Sequence, residues 1–228
     1  MMTTFKFLSP DSRSWSFDQR ANGYARGEGL AVVVVKRLAD ALREGDTIRC
    51  VIRGTGTNQD GRTPSITQPS QAAQVDLIER TYKQANIDME PTRFFEAHGT
   101  GTKVGDSAEA NAIGMAFRQH RAVNDPLYIG AVKANVGHLE GCSGLAGIIK
   151  TILVLEKGVI PPIAGFESLN DKIDAKKLHL HVSLPSWISL KAFLSSIVRK
   201  DSYGVANSRS PTSLRKYYTI IPFSKYRH

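Results

Sequence analysis

Four apolar runs, each followed by a segment of helical spacing, constrain this chain more than any other feature. Residues 27 to 35, GEGLAVVVV, are rich in β-branched side chains and bounded by glycine, the pattern of a strand buried on both faces. RLADALREGD after it reads as a short helix closed by Gly45. In TIRCVIRGTGT, Ile48, Cys50 and Ile52 alternate with Arg49, Val51 and Arg53, which predicts a half-buried strand with Cys50 in the core. NQDGRTPSITQPS is dense in turn formers and reads as a surface loop. A helix follows, with Ser70 as N-cap and Val75, Ile78, Tyr82 and Ala85 on one face.

TRFFEA is the third strand, running directly into His98. Beyond the loop, Asp106 and Glu109 resemble a capping box, and Ala110, Ile113 and Phe117 continue a helix. PLYIGAVKANVGH reads as a fourth strand ending at Gly137 and His138. Leu145, Ile148, Ile149, Ile152 and Leu155 then mark a buried helix, stopped by GVIPPI. Strand alternating with helix predicts a layered α/β fold with a largely parallel sheet.

Charge divides the chain. The net charge is +9, yet residues 1 to 171 hold 19 basic and 19 acidic side chains, so the whole excess lies beyond them. From residue 183 the texture changes, with ten serines and one acid in 46 residues and no clear period. Two units are therefore expected: 1–182 as the folded part, and 183–228 as a basic, serine-rich tail that packs poorly. The folded part is neutral, which argues against nucleic acid as a partner. No apolar run reaches the roughly 18 residues of a membrane span, and the two cysteines read as free thiols. A cytoplasmic location is expected.

Both His98 and His138 sit at the carboxyl ends of strand-like runs, where open α/β sheets form their sites. His98 opens the small-residue stretch HGTGT, and Lys133 and Asn135 lie just ahead of His138. Zinc would need three or four ligands at ligand spacing, which these residues do not offer. His179 and His181 in LHLHV share one strand face but have no further ligands near them in sequence. The lysine of HGTGTKVGD lacks the following Ser or Thr of a phosphate loop. Two neutral imidazoles donating hydrogen bonds to a thioester oxygen, as an enolate forms, fit the pattern better.

The stretches EAHGTGTKVGDSAEA and AVKANVGHLEGCSGLAGIIK resemble the two histidine motifs of β-ketoacyl synthases, in particular the ketosynthase domain of fungal type I polyketide synthases. FDQRANGYARGEG and GTGTNQDGRTPSITQPS resemble the stretch ahead of them, so the likeness covers about residues 5 to 182. It implies a thiolase-like fold of two βαβαβαββ halves, here partial: the end of the first half and most of the second. The implied reaction is a decarboxylative Claisen condensation of acyl thioesters in secondary-metabolite biosynthesis. Carried over, His98 and His138 are the oxyanion donors, Lys133 tunes the local field, and Thr100 and Thr102 face a phosphopantetheine arm. No covalently bound cofactor is implied, only phosphopantetheine-linked acyl and malonyl substrates. The implied partners are an acyl carrier protein and a ketosynthase-type dimer partner, with no membrane.

Two departures qualify this. The family nucleophile lies in a DTACSS-like elbow upstream of FDQRANGYARGEG, and neither Cys50 nor Cys142 stands in such a setting. At the other end SLPSWISLKAFLSSIV takes the place of the family's closing strands. The chain therefore reads as a ketosynthase truncated at both ends that does not condense alone. Two rival readings stay open: a non-catalytic module pairing with an intact ketosynthase, and an anion-binding protein using its tail.

Overall fold

The computed structural model describes residues 7–64, 68–182, 188–189, 219–220 and 223–225. In chain order the elements are α1 (Leu38–Glu44), β1 (Val51–Ile52), β2 (Gly56–Asn58), α2 (Gln71–Gln84), β3 (Phe94–Glu96), α3 (Gly105–Phe117), β4 (Leu127–Gly130), α4 (Lys133–Val136), α5 (Ser143–Lys157), β5 (Val159–Ile160), β6 (Leu180–Val182), β7 (Ile188–Ser189), β8 (Thr219–Ile220) and β9 (Phe223–Lys225).

A three-stranded parallel sheet in the order β3-β4-β6 carries the site. Its register sets Phe95 beside Ile129 and Ile129 beside Val182, three apolar side chains on one face. Helices α2 and α3 pack together over that face, where Ile78, Tyr82, Ile113 and Phe117 join them in one core. The Phe117 ring meets Tyr82 and Phe95 edge-on, at 5.6 and 6.1 Å between centroids. Ser70 caps α2 as its sequence position implies, its Oγ accepting from the Ala73 N–H at 3.2 Å. Gly45 closes α1 in the left-handed region, φ 73°. Parallel strands and crossover helices are thus as expected.

Several local expectations fail, for connected reasons. Residues 27 to 35 form no strand: the run has no ladder partner among the described residues, and Leu30 and Val34 are 92% and 96% exposed. Composition marks a strand suited to burial on both faces, but burial needs neighbours on each side. Helix α5 is likewise only half-buried, with Val154 the one apolar side chain along it that is fully covered and Leu153 exposed. Cys50 is half-buried rather than core, and Ile52 is exposed. Strand β4 stops at Gly130, and Lys133 lies on the helical turn α4 instead of a strand.

Beyond residue 182, β7 pairs antiparallel with β5, while β8 and β9 pair parallel with β1 and β2. The remainder of the 183–228 segment, expected as a poorly packed tail, lies outside the described residues. Among the described residues no helix is long and apolar enough to cross a membrane.

Candidate active site

Three loops meet at the carboxyl ends of β3 and β4. The first is His98–Thr102, straight after β3, and the second is the α4 turn with Gly137 and His138. The third is the segment 14–27. Backbone bonds tie it to the other two: the His138 N–H donates to the Ala25 carbonyl at 2.7 Å, the Gly27 N–H to the His138 carbonyl at 3.0 Å, and the Gly23 N–H to the Gly101 carbonyl at 3.0 Å.

Two carboxylates of α3 hold the His98 loop. Glu109 accepts from the backbone N–H groups of His98 and Gly99, at 2.6 and 2.8 Å. Asp106, fully buried, accepts from the N–H of Phe17 at 2.6 Å and of Gly101 at 3.0 Å, with Thr102 at 3.3 Å. The capping-box reading of these acids is therefore corrected, because no side chain caps α3. Both carboxylates turn to the preceding loop and accept from its backbone N–H groups. Gly99 makes the loop's close approach possible: it sits at φ 45°, and a Cβ there would lie 2.6 Å from the Ala131 Cβ. The Ser16 hydroxyl completes the clamp by donating to the Gly99 carbonyl at 2.6 Å.

Forty residues apart in sequence, the His98 and His138 rings stand edge to face with centroids 5.4 Å apart. Tyr24 covers another side of His138, at 5.1 Å. The Nδ1 of His138 accepts from the Glu140 N–H at 3.0 Å and lies 2.8 Å from the Ser143 Oγ. A backbone N–H can only donate, so Nδ1 is the unprotonated nitrogen and Nε2 carries the proton of a neutral ring. Glu140 reaches this position through a left-handed backbone, φ 51°, uncommon for a residue with a Cβ.

The electrostatics agree with a neutral imidazole. Burial, then the charge of Lys133, pushes the His138 pKa below its ordinary value, with Arg26 adding to the fall and Glu140 opposing it. Lys133 is buried, and burial lowers its own pKa against the pull of Glu109, Glu96 and Asp106. Below the loops, Glu96 forms an ion pair with Lys150 of α5 at 2.7 Å and accepts from the Val132 N–H at 2.5 Å. That carboxylate links the end of β3, the start of α4 and α5. Burial pushes the Asp106 carboxyl up, to about 7, with Glu109 adding to the rise and the N–H donors of Phe17, Gly101 and Thr102 opposing it.

The structure thus brings His98, His138 and Lys133 to one end of the sheet. Thr100 and Thr102 lie there too, hydroxyls 3.2 Å apart, with Thr100 buried and Thr102 half-buried. Cys142 is half-buried just ahead of α5. Cys50 is half-buried, and burial foremost pushes its thiol pKa up. His179 bonds the Arg121 carbonyl through Nδ1, while His181 lies against the Tyr128 ring. No group of three or more possible metal ligands exists among the described residues. Residue patterns missed Glu140, Ser143 and Tyr24. Glu109 was visible as an acid three residues after Asp106, but its partners were not.

Comparison with known proteins agrees with this architecture. The profile of the family Beta-ketoacyl synthase, C-terminal domain, matches residues 49–167, and that of the N-terminal domain matches residues 1–41. The chain belongs to the β-ketoacyl synthase family, and its fold is a partial thiolase-like one. It is 52% identical, over 100% of its length, to 9% of Highly reducing polyketide synthase 40 of Fusarium mangiferae. It is also 52% identical, over 91% of its length, to 8% of Highly reducing polyketide synthase alnA of Emericella nidulans. Among solved structures, the ketosynthase from module 6 of the bacillaene synthase of Bacillus subtilis aligns with a TM-score of 0.79 at 35% identity. That alignment covers 83% of this chain and 34% of the solved one. The chain therefore spans under a tenth of these curated relatives and about a third of the solved ketosynthase.

Proposed function

We propose that the corner built by His98 and His138 performs the decarboxylative half of a ketosynthase reaction on a malonyl thioester carried by an acyl carrier protein. The bond between the malonyl carboxylate and C2 breaks, carbon dioxide leaves, and the electron pair enters an enolate whose charge comes to rest on the thioester oxygen. His98 and His138 donate hydrogen bonds to that oxygen, a role that needs neutral, correctly tautomeric rings rather than strong acids. Burial, with the charge of Lys133 adding to it, favours the neutral form of His138. Thr102, half-buried beside Thr100, faces the phosphopantetheine arm. The observation that carries this reading is the pair of rings 5.4 Å apart, one with its Nδ1 already occupied by an N–H donor.

The acyl half needs a thiolate. Cys50 has its thiol pushed up by burial, and Cys142 precedes the packed start of α5; neither takes the acyl group in this proposal. The test is carbon dioxide release from malonyl-loaded carrier protein, beside mass spectrometry of the chain. His98→Ala and His138→Ala are each expected to lower release by about 100- to 1000-fold. An acyl adduct on Cys50 or Cys142 together with elongation overturns the assignment, as does release that survives both substitutions.

A second reading, a non-catalytic module pairing with an intact ketosynthase, is favoured by one observation. Leu30, Val32, Val34 and Val35 are all exposed on a run with no ladder partner among the described residues. Co-sedimentation with an intact ketosynthase, lost in Val34→Lys, would support it.

A further inference from the structure

We propose that Ser143 is a positioning residue for His138, holding the ring so that its Nε2–H stays aimed into the site. The inference rests on the decarboxylation reading for its functional consequence and on geometry for its substance. Ser143 is the first residue of α5, 8% exposed, and no side chain caps that helix start. Its hydroxyl is directed at the ring instead, 2.8 Å from Nδ1.

One donor would fix which nitrogen accepts, and the Glu140 N–H does so alone. A single contact still leaves the imidazole free to tilt about it. The second contact comes from a different element, so the ring is held between the Glu140 turn and the first turn of a 15-residue helix. On its remaining sides stand Tyr24 and Arg26 from the segment 14–27, His98 after β3, and Lys133 on α4. The chargeable groups Arg26, Lys133 and Glu140 influence the proton affinity of His138. The position of the ring falls to the two contacts at Nδ1.

Ser143→Ala removes one contact without adding bulk, whereas Ser143→Thr keeps the hydroxyl. The full chain, labelled in its imidazole nitrogens and assigned by comparison with His138→Asn, reports the contact directly. In Ser143→Ala the His138 Nδ1 resonance is expected to move toward that of a less hydrogen-bonded nitrogen, and in Ser143→Thr to return. Carbon dioxide release should fall about two- to tenfold in kcat, the worth of one neutral hydrogen bond, with KM unchanged. A merely structural serine would change thermal stability without moving Nδ1 or splitting kcat from KM. An Nδ1 resonance unmoved by Ser143→Ala, or moved equally by Ser143→Thr, overturns the proposal. A chain that releases no carbon dioxide yet shows the Nδ1 movement and its recovery upholds the positioning contact and overturns the decarboxylation reading instead.

Discussion

The histidine corner and the run 27–35 carry equally strong local signals, yet one is tightly built and the other stands open. At the corner, three backbone loops are joined by buried carboxylates and by backbone bonds that span as many as 113 residues, as between His138 and Ala25. Along the run, side chains suited to a strand interior are exposed and no ladder forms among the described residues. A loop can be satisfied by one carboxylate placed correctly. A strand buried on both faces needs strands beside it and layers above and below, so its state depends on what else is assembled around it.

The largest effect that separates the two regions is expected from Asp106→Ala. It leaves the buried N–H groups of Phe17 and Gly101, and that of half-buried Thr102, without their acceptor, and about 3–5 kcal/mol of stability should be lost. Chemical denaturation measures it, and a loss below about 1 kcal/mol would mean that the corner is not the better-built region. Gly99→Ala comes next, at about 1–3 kcal/mol, since it places a Cβ against Ala131 and keeps the backbone in the left-handed region. Equal midpoints for wild type and Gly99→Ala would remove the argument for a tight His98 loop.

Smaller is the acid sensitivity of Asp18, on the segment 14–27, which ties that segment to Glu167 and Ser168. Burial raises its pKa, but Arg20 and the N–H groups of Glu167, Arg20 and Ser168 outweigh that and leave it at about 2. A carboxyl depressed on folding stabilises fully above its unfolded value of 3.8, and that contribution is lost as pH falls toward about 2. The wild-type denaturation midpoint should drop across that window, and in Asp18→Asn this part of the drop should be missing; identical acid limbs would count against the assignment. The smallest effect belongs to the open region. Leu30→Lys and Val34→Lys should each change stability by no more than about 0.5 kcal/mol in the isolated chain. A loss of 2 kcal/mol or more in the same experiment would show the run to be packed, and would erase the contrast.

The class of fold was legible because parallel strands and crossover helices write different periods into a chain. The strand-like run TRFFEA and the helical faces of Ile78, Tyr82, Ile113 and Phe117 reappear as β3, α2 and α3. His98 was legible as the residue that follows a strand, whereas His138, read as a strand end, follows the helical turn α4. Partners were less legible. The spacing of Asp106 and Glu109 matches a helix cap, and nothing in it says that both acids accept from the preceding loop instead. Lys133 was placed on a strand because AVKANV continues the apolar texture of LYIG, yet Gly130 ends the ladder and a helical turn begins.

Residue types and spacing by themselves determined α2, α3 and β3, the layered α/β class with a parallel sheet, and the two histidines as site candidates, because hydrophobic period and chain-local turns act over a few residues. Tertiary structure alone decided the rest. It set the 5.4 Å approach of the two rings, the tautomer of His138 through the Glu140 N–H, and the contact from Ser143. It also decided that 27–35 remains unpaired among the described residues. Each of these depends on groups from separate elements meeting in space, and a hydrogen bond is won or lost within a few tenths of an ångström.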